Sequence, residues 1–215
     1  MYLKVKRLID FILSFVGLVI LSPVFVILIL AIKLDSPGPV LFKQKRVGIH
    51  KAHFNILKFR TMRIDTPKDT PTHLLENPDQ WITKVGKFLR KTSLDELPQI
   101  INILKGEMSI IGPRPALWNQ YDLIEERDKY RVNDVPVGLT GWAQINGRDE
   151  LEIDVKARLD GEYAEKIGVL MDVRCFFGTI FSVLRSDGVV EGGTGVKVGE
   201  KSQTSNSKAE ETVTK

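Results

Sequence analysis

Cysteine is almost absent from this chain: its 215 residues hold one, Cys175. No intrachain disulfide can form, and no CxxC or Cys/His cluster exists to hold zinc. Cys175 stands between Arg174 and Phe176 in an apolar stretch and reads as a packing residue. Histidine is scarce too. His50, His53 and His73 are scattered and read as surface residues. The sequence has no Walker A, GxGxxG, GxSxG or HExxH pattern, which removes several common nucleotide, hydrolase and metalloprotease readings. No basic face is interleaved with aromatics, so nothing points to nucleic acid. There is no internal repeat. The net charge of +4 is a mild basic excess. Alone it suits lipid headgroups, phosphorylated substrates or nucleic acid about equally well.

Charge is also missing from one place. Phe11 to Ile32 is an uncharged run of 22 residues, roughly 33 Å long as a helix. That matches the hydrocarbon core of a bilayer. A buried soluble helix is the bland alternative, and a signal peptide fits poorly because no A-x-A pattern follows the run. Ser22-Pro23 falls mid-run, where proline removes a helical hydrogen bond and predicts a kink. Cations flank both ends: Lys4, Lys6 and Arg7 before, Lys33, Lys43, Lys45 and Arg46 after. The positive-inside rule puts both ends on the cytoplasmic side. A kinked spanning helix and a helix broken at its centre that returns to the same leaflet both remain open on these grounds. Asp10 is placed to pair with Arg7 and Lys6 at the interface edge.

The breaker cluster Asp35-Ser-Pro-Gly-Pro39 ends the membrane element. Residues 40–44 and 54–60 read as short strands around a turn at 48–51. Residues 64–80 read as a polar loop and 82–91 as a basic helix. Residues 97–104 form an apolar helical pattern closed by Gly106. Residues 112–115 read as a rigid turn, 116–130 as a charged helix, 135–147 as loop with a short strand, and 150–164 as a polar helix. From Ile167 to Leu184 apolar residues recur at helical spacing, as either core or a membrane-interface stripe. The division is therefore 1–35 membrane helix, 36–190 folded domain and 191–215 a disordered polar tail. The fold class is α+β, mostly helical.

The strongest chemical signal is Arg90-Lys-Thr-Ser-Leu-Asp-Glu-Leu-Pro98. Ser93-x-x-Glu96 reads as a capping box. Pro98 argues instead for a helix that starts at Asp95, because proline at the third helical position loses no bond. A carboxylate there is favoured in its ionised form by the helix dipole. It is then equipped to act as a nucleophile or a magnesium ligand. Cations surround this signal in sequence. Lys58 and Arg60 share one strand face, Arg90 and Lys91 precede the pair, Arg114 is framed by two prolines, and Arg148 follows an Asn-Gly turn. Such residues bind phosphate, or else make a basic membrane-facing surface.

Seven motifs in order carry a resemblance that covers about residues 6–188. They are Lys-Arg-Leu-Ile-Asp-Phe (6–11), Ser22-Pro23, Ser-Pro-Gly-Pro-Val-Leu-Phe-Lys-Gln (36–44), Lys-Phe-Arg-Thr-Met (58–62), Thr-Ser-Leu-Asp-Glu-Leu-Pro-Gln (92–99), the Gly-Pro-Arg-Pro run (106–115) and Gly-Leu-Thr-Gly-Trp-Ala-Gln-Ile-Asn-Gly-Arg (138–148). The chain resembles the bacterial sugar transferases, monotopic phosphoglycosyl transferases that initiate capsule, exopolysaccharide and glycoprotein glycan assembly. The resemblance implies a re-entrant helix broken at Ser22 and Pro23, a compact catalytic domain on the cytoplasmic face, and interfacial helices. It implies that Asp95 attacks the phosphorus bearing the sugar, releases UMP and holds a phosphosugar that polyprenyl phosphate then takes, with Glu96 assisting. Mg²⁺ would sit on Asp95 and the diphosphate. Lys58, Arg90, Arg114 and Arg148 would bind phosphates, with Arg60 and Gln144 completing the substrate set. Partners would be a UDP-sugar, polyprenyl phosphate, membrane lipid and, as candidates, downstream glycosyltransferases. A membrane-anchored scaffold for anionic partners and a nucleotide-sugar hydrolase are the competing classes. The sugar is not legible.

Overall fold

The computed structural model describes residues 1–66, 78–147 and 151–185. His73, Arg148 and the expected tail 191–215 lie outside the described residues. Helix α1 spans Tyr2–Asp35 without interruption, so the expected break at Ser22-Pro23 is not a break in helical structure. The local chemistry explains this. Pro23 has no N–H to offer the Val19 carbonyl, and the Ser22 hydroxyl donates to that carbonyl instead at 2.8 Å. The orphaned acceptor is satisfied and the helix continues. Thirty-four residues make about 51 Å of helix, and only 11% of the most apolar 18-residue stretch is buried. Helix α1 is thus long and apolar enough to cross a membrane, and most of its apolar stretch is not buried within this chain.

Both ends of α1 rest on the globular body. Near its start, Lys6 pairs with Asp172 at 2.5 Å. Asp10 accepts from the Ser109 hydroxyl at 2.7 Å and the Ile110 N–H at 3.2 Å. Arg7 donates to the carbonyls of Ile103 and Leu104. Asp10 therefore serves Ser109 rather than the neighbouring cations expected from the sequence. Near its end, Leu28 and Ile32 join Phe59 and Leu89 in a core that Phe25 flanks, and Asp35 accepts from the Val85 N–H at 3.1 Å. The turns between expose Phe15, Val16, Val19 and Ile20.

Strands β1 (Leu41–Val47) and β2 (His53–Phe59) form an antiparallel hairpin with Phe42 opposite Lys58 and Lys45 opposite Asn55. The outer edge of β2 is closed by an amide. Asn102, fully buried on α3 (Gln99–Lys105), accepts from the Leu57 N–H at 2.9 Å and donates to the Asn55 carbonyl at 2.8 Å. This fixes β2 on α3 and blunts a strand edge. The other edge, on β1, takes Ala116 and Leu117: Val47 N–H donates to the Ala116 carbonyl at 3.0 Å, and Arg46 bridges Leu117. A backbone used this way cannot be helical, so the helix expected from residue 116 begins at Tyr121 (α4, Tyr121–Asp128). Helix α2 spans Lys84–Lys91, close to expectation.

The short strand expected within 135–147 is present and belongs to a second sheet, whose other strand and parallel pairing were not expected. Strands β3 (Ser109–Ile111) and β4 (Gly138–Thr140) pair in parallel. Gly112 and Gly138 pass so closely that a Cβ on either would overlap the other's backbone. Helices α5 (Trp142–Ile145), α6 (Ile153–Glu165) and α7 (Val169–Arg185) follow. The apolar stripe on α7 is split between two faces. Met171 and Cys175 are buried with Ile111 and Tyr163, while Leu170, Phe177 and Phe181 are exposed. Burial pushes the Cys175 thiol up to about 12, so it remains a protonated packing residue.

Candidate functional site

Residues Leu94–Glu96 form a tight single helical turn, not the start of an α-helix. Ser93 adopts a left-handed conformation (φ 55°) that turns the chain after α2, and its hydroxyl caps nothing. Helix α3 starts only at Gln99, with Pro98 as its preceding residue. Neither capping arrangement expected from the sequence is therefore present. The turn still does the essential thing: it presents two adjacent carboxylates to β2 and to the Pro113-Arg114-Pro115 corner.

Glu96 is the clamped member. Lys58 donates to its Oε1 at 2.8 Å and Arg114 to the same oxygen at 2.7 Å. Burial works to raise its pKa, but Arg114 and then Lys58 outweigh it and hold the carboxyl well below the usual carboxylate range. Asp95 is the open member. Lys58 Nζ lies 3.9 Å from its Oδ2, and among the described residues no side chain donates a hydrogen bond to it. Burial raises its pKa, with Lys58, Arg90 and Arg114 opposing and the charge of Glu96 reinforcing. Burial outweighs these cations, and the α-helix end expected to favour its ionised form is absent, since Leu94–Glu96 is a single turn. Arg90 reaches the site from α2, its Nε donating to the Thr61 hydroxyl at 3.0 Å.

The arrangement brings Asp95, Glu96, Lys58, Arg90 and Arg114 together, as anticipated. It does not bring Arg60. That side chain is buried at 5% exposure and donates to the Pro37, Ser36 and Ile32 carbonyls at the end of α1. Arg60 is a clasp for the end of α1, where cations suit a helix C-terminus, and its guanidinium is turned to those carbonyls rather than to the carboxylate pair. Gln144 lies beside Gly141 near the Gly112 backbone that leads into the Arg114 turn. It is buried, and among the described residues neither atom of its amide has a hydrogen-bond partner. Arg148 lies outside the described residues.

Support residues were missed from the sequence. Arg127 on α4 forms a buried pair with Asp160 on α6 at 2.5 Å and donates to the Arg114 carbonyl at 2.9 Å. It is one of several charges in the stretch expected as a charged helix over 116–130. No pattern marks it, since its partner lies 33 positions away.

The bacterial sugar transferase family model matches residues 1–186. The chain belongs to the bacterial sugar transferase family. It is 44% identical over 184 residues to the UDP-glucose:undecaprenyl-phosphate glucose-1-phosphate transferase of Escherichia coli (strain K12), covering 82% of this chain and 39% of that protein. It is 39% identical over 185 residues to the uncharacterized sugar transferase EpsL of Bacillus subtilis (strain 168), covering 86% and 89%. It is 36% identical over 198 residues to the galactosyl transferase CpsE of Streptococcus agalactiae serotype III (strain NEM316), covering 87% and 44%. The chain thus spans about two-fifths of the first and third relatives and most of the second.

Proposed function

We propose that this chain is a phosphoglycosyl transferase that moves a sugar-1-phosphate from a UDP-sugar to polyprenyl phosphate at the cytoplasmic face of a bacterial membrane, as an initiating step of capsule or exopolysaccharide assembly. The observation that carries the reading is the unequal carboxylate pair. Glu96 is committed to two cations, while Asp95 beside it accepts no hydrogen bond among the described residues and lies in the field of Lys58, Arg90 and Arg114. A Asp95 oxygen attacks the phosphorus bearing the sugar, and the bond from that phosphorus to the bridging oxygen breaks, with UMP taking the electron pair. A phosphate oxygen of the polyprenyl carrier then attacks the same phosphorus, the acyl–phosphate bond breaks, and the carboxylate is restored. Such transfer needs placement and charge neutralisation more than unusual side-chain chemistry. Arg114, Arg90 and Lys58 supply both.

The donor set fits magnesium. Among the described residues no three acidic, His or Cys side chains cluster for a metal, so an ion here would take one carboxylate, Asp95, and oxygens of the substrate diphosphate, which is the usual habit of Mg²⁺. When bound it would supply further neutralisation of diphosphate charge.

A re-entrant course for α1 is supported by its two attachments. Lys6, Arg7 and Asp10 at one end and Leu28, Ile32 and Asp35 at the other hold the same globular body. A spanning helix would separate them by the thickness of the bilayer. The relatives' names include both glucose and galactosyl transferases, so a hexose is a natural first screen for the donor.

Labelled UDP-glucose or UDP-galactose, incubated without acceptor, is expected to release UMP and leave label on Asp95, located by mass spectrometry. Asp95→Asn should abolish both while keeping membrane association; a scaffold would lose nothing measurable. Release of free sugar phosphate in detergent, with no dependence on polyprenyl phosphate, would indicate a hydrolase. For topology, Tyr2→Cys and Lys33→Cys should both react with an impermeant maleimide in inverted vesicles and neither in intact spheroplasts.

A further inference from the structure

Helix α2 carries Arg90 to the site on one side. Leu89 is fully buried, and Gly86 is pressed onto the Thr61 backbone with no room for a Cβ. Lys84, Lys87, Phe88 and Lys91 stand on the other side. At 100° per residue they fall within an arc of about 100°, and all four are exposed. The three lysines make no ion pair or hydrogen bond among the described residues. Position gives this face its meaning. The first turn of α2 is tied to the last turn of α1 through Val85 and Asp35. The core of Leu28, Ile32 and Leu89 joins the same two helices. Leu34, at the α1 end, is 88% exposed. The lysine face therefore lies where the apolar run of α1 gives way to polar chain.

We infer that this face docks on anionic lipid headgroups, with Phe88 entering the acyl boundary and Lys84, Lys87 and Lys91 on lipid phosphates. Lysines alone would suit any polyanion. A half-open phenylalanine in their midst suits a surface where charge borders hydrocarbon. An acidic protein is the other conceivable occupant, and the test separates it. The inference rests on the membrane placement proposed above and adds that the lipid must be anionic.

Cys175 is buried, so Phe88→Cys gives the full-length chain a single reactive thiol. In nanodiscs of phosphatidylcholine containing about a third phosphatidylglycerol, its maleimide labelling is expected to be at least tenfold slower than in phosphatidylcholine alone. Half-molar salt should erase the difference, and so should K84Q/K87Q/K91Q, since each lysine is worth about fivefold in affinity for an anionic surface. Equal labelling in both discs, or equal protection in both, overturns the inference. So does fast labelling in both discs joined to protection in native membranes, which would make the occupant a protein. Label trapping on Asp95, measured in detergent on the unmodified chain, reports on the transferase reading separately.

Discussion

Arg127→Met tests the support beneath Arg114. Arg127 and Asp160 have side chains only 3% and 1% exposed, joined at 2.5 Å, and Arg127 also donates to the Arg114 carbonyl. Methionine keeps much of the volume and removes the charge, leaving Asp160 buried without its hydrogen-bonded cation and with Lys156 as the remaining charge that favours its ionised form. The second oxygen of Asp160 already lacks a hydrogen-bond partner among the described residues. Breaking one side of a buried pair costs about 3–5 kcal/mol. At about 2–4 °C per kcal/mol for a domain of this size, Tm should fall by about 6–20 °C in detergent, followed by circular dichroism.

The loss should depend on pH, with a definite sign. Burial already raises the Asp160 pKa, and Arg127 is the largest influence holding it down. Without Arg127 the folded state keeps its proton to higher pH than the unfolded chain does. A group raised on folding contributes stability below its unfolded pKa and loses it as pH rises through the folded one. The Arg127→Met penalty should therefore be smaller at pH 5.5 than at pH 8. Arg127→Met/Asp160→Leu should recover much of the loss, because the unpaired carboxylate is then gone and Lys156 is the charge left nearby. A single variant within about 1 kcal/mol of the parent, or a double variant as unstable as the single, would refute the reasoning.

At the site, the acid limb of kcat/KM for UMP release should lie above the ordinary aspartate range, since Asp95 must ionise and burial raises it. Glu96→Gln removes a like charge and should move that limb to lower pH; Lys58→Met should move it higher, so shifts in the reverse order would count against Asp95 as the titrating nucleophile. Gly86→Ala forces a Cβ into the Thr61 backbone and should cost about 3 kcal/mol or more, read as lost thermal stability. Asn102→Leu strips Leu57 and Asn55 of their partners and should cost about 1–3 kcal/mol, with a chevron or melt showing no loss sinking the role of that amide.

The legible parts of this chain were those written in contiguous residues. The apolar run, the hairpin, α2 and the dyad each announce themselves within about 20 positions, and the cations that meet the dyad were named by type and setting. What was illegible depends on partners far along the chain. Whether Arg60 binds phosphate or clasps α1 is decided by carbonyls more than 20 residues earlier. The parallel pairing of Ser109–Ile111 with Gly138–Thr140 has no local signature in strands of three residues. Residues 116–120 carry helical composition, yet the backbone of Ala116 and Leu117 is recruited by β1. The sign of the Asp95 shift needed burial, which sequence does not state.

The last step concerns why the two carboxylates differ at all. They are neighbours on one turn, of like charge, and could share the available cations. The turn geometry prevents sharing: Glu96 has one more methylene and reaches both Lys58 and Arg114, whereas Asp95 stops 3.9 Å from Lys58. Glu96 thereby stays ionised, and its charge pushes against ionisation of Asp95 while Lys58, Arg90 and Arg114 pull for it. Two like groups with pKa values driven apart are assigned different tasks by their surroundings. Glu96 fixes the cations in place, and Asp95 is left with its lone pairs uncommitted. Exchanging the pair, as Asp95→Glu/Glu96→Asp, retains both charges and every cation. It should nevertheless abolish label trapping, because the shorter side chain would no longer span to Lys58 and Arg114 and the longer one would be drawn to them. A swapped enzyme that still traps label at position 95 would show that reach does not set the division of roles.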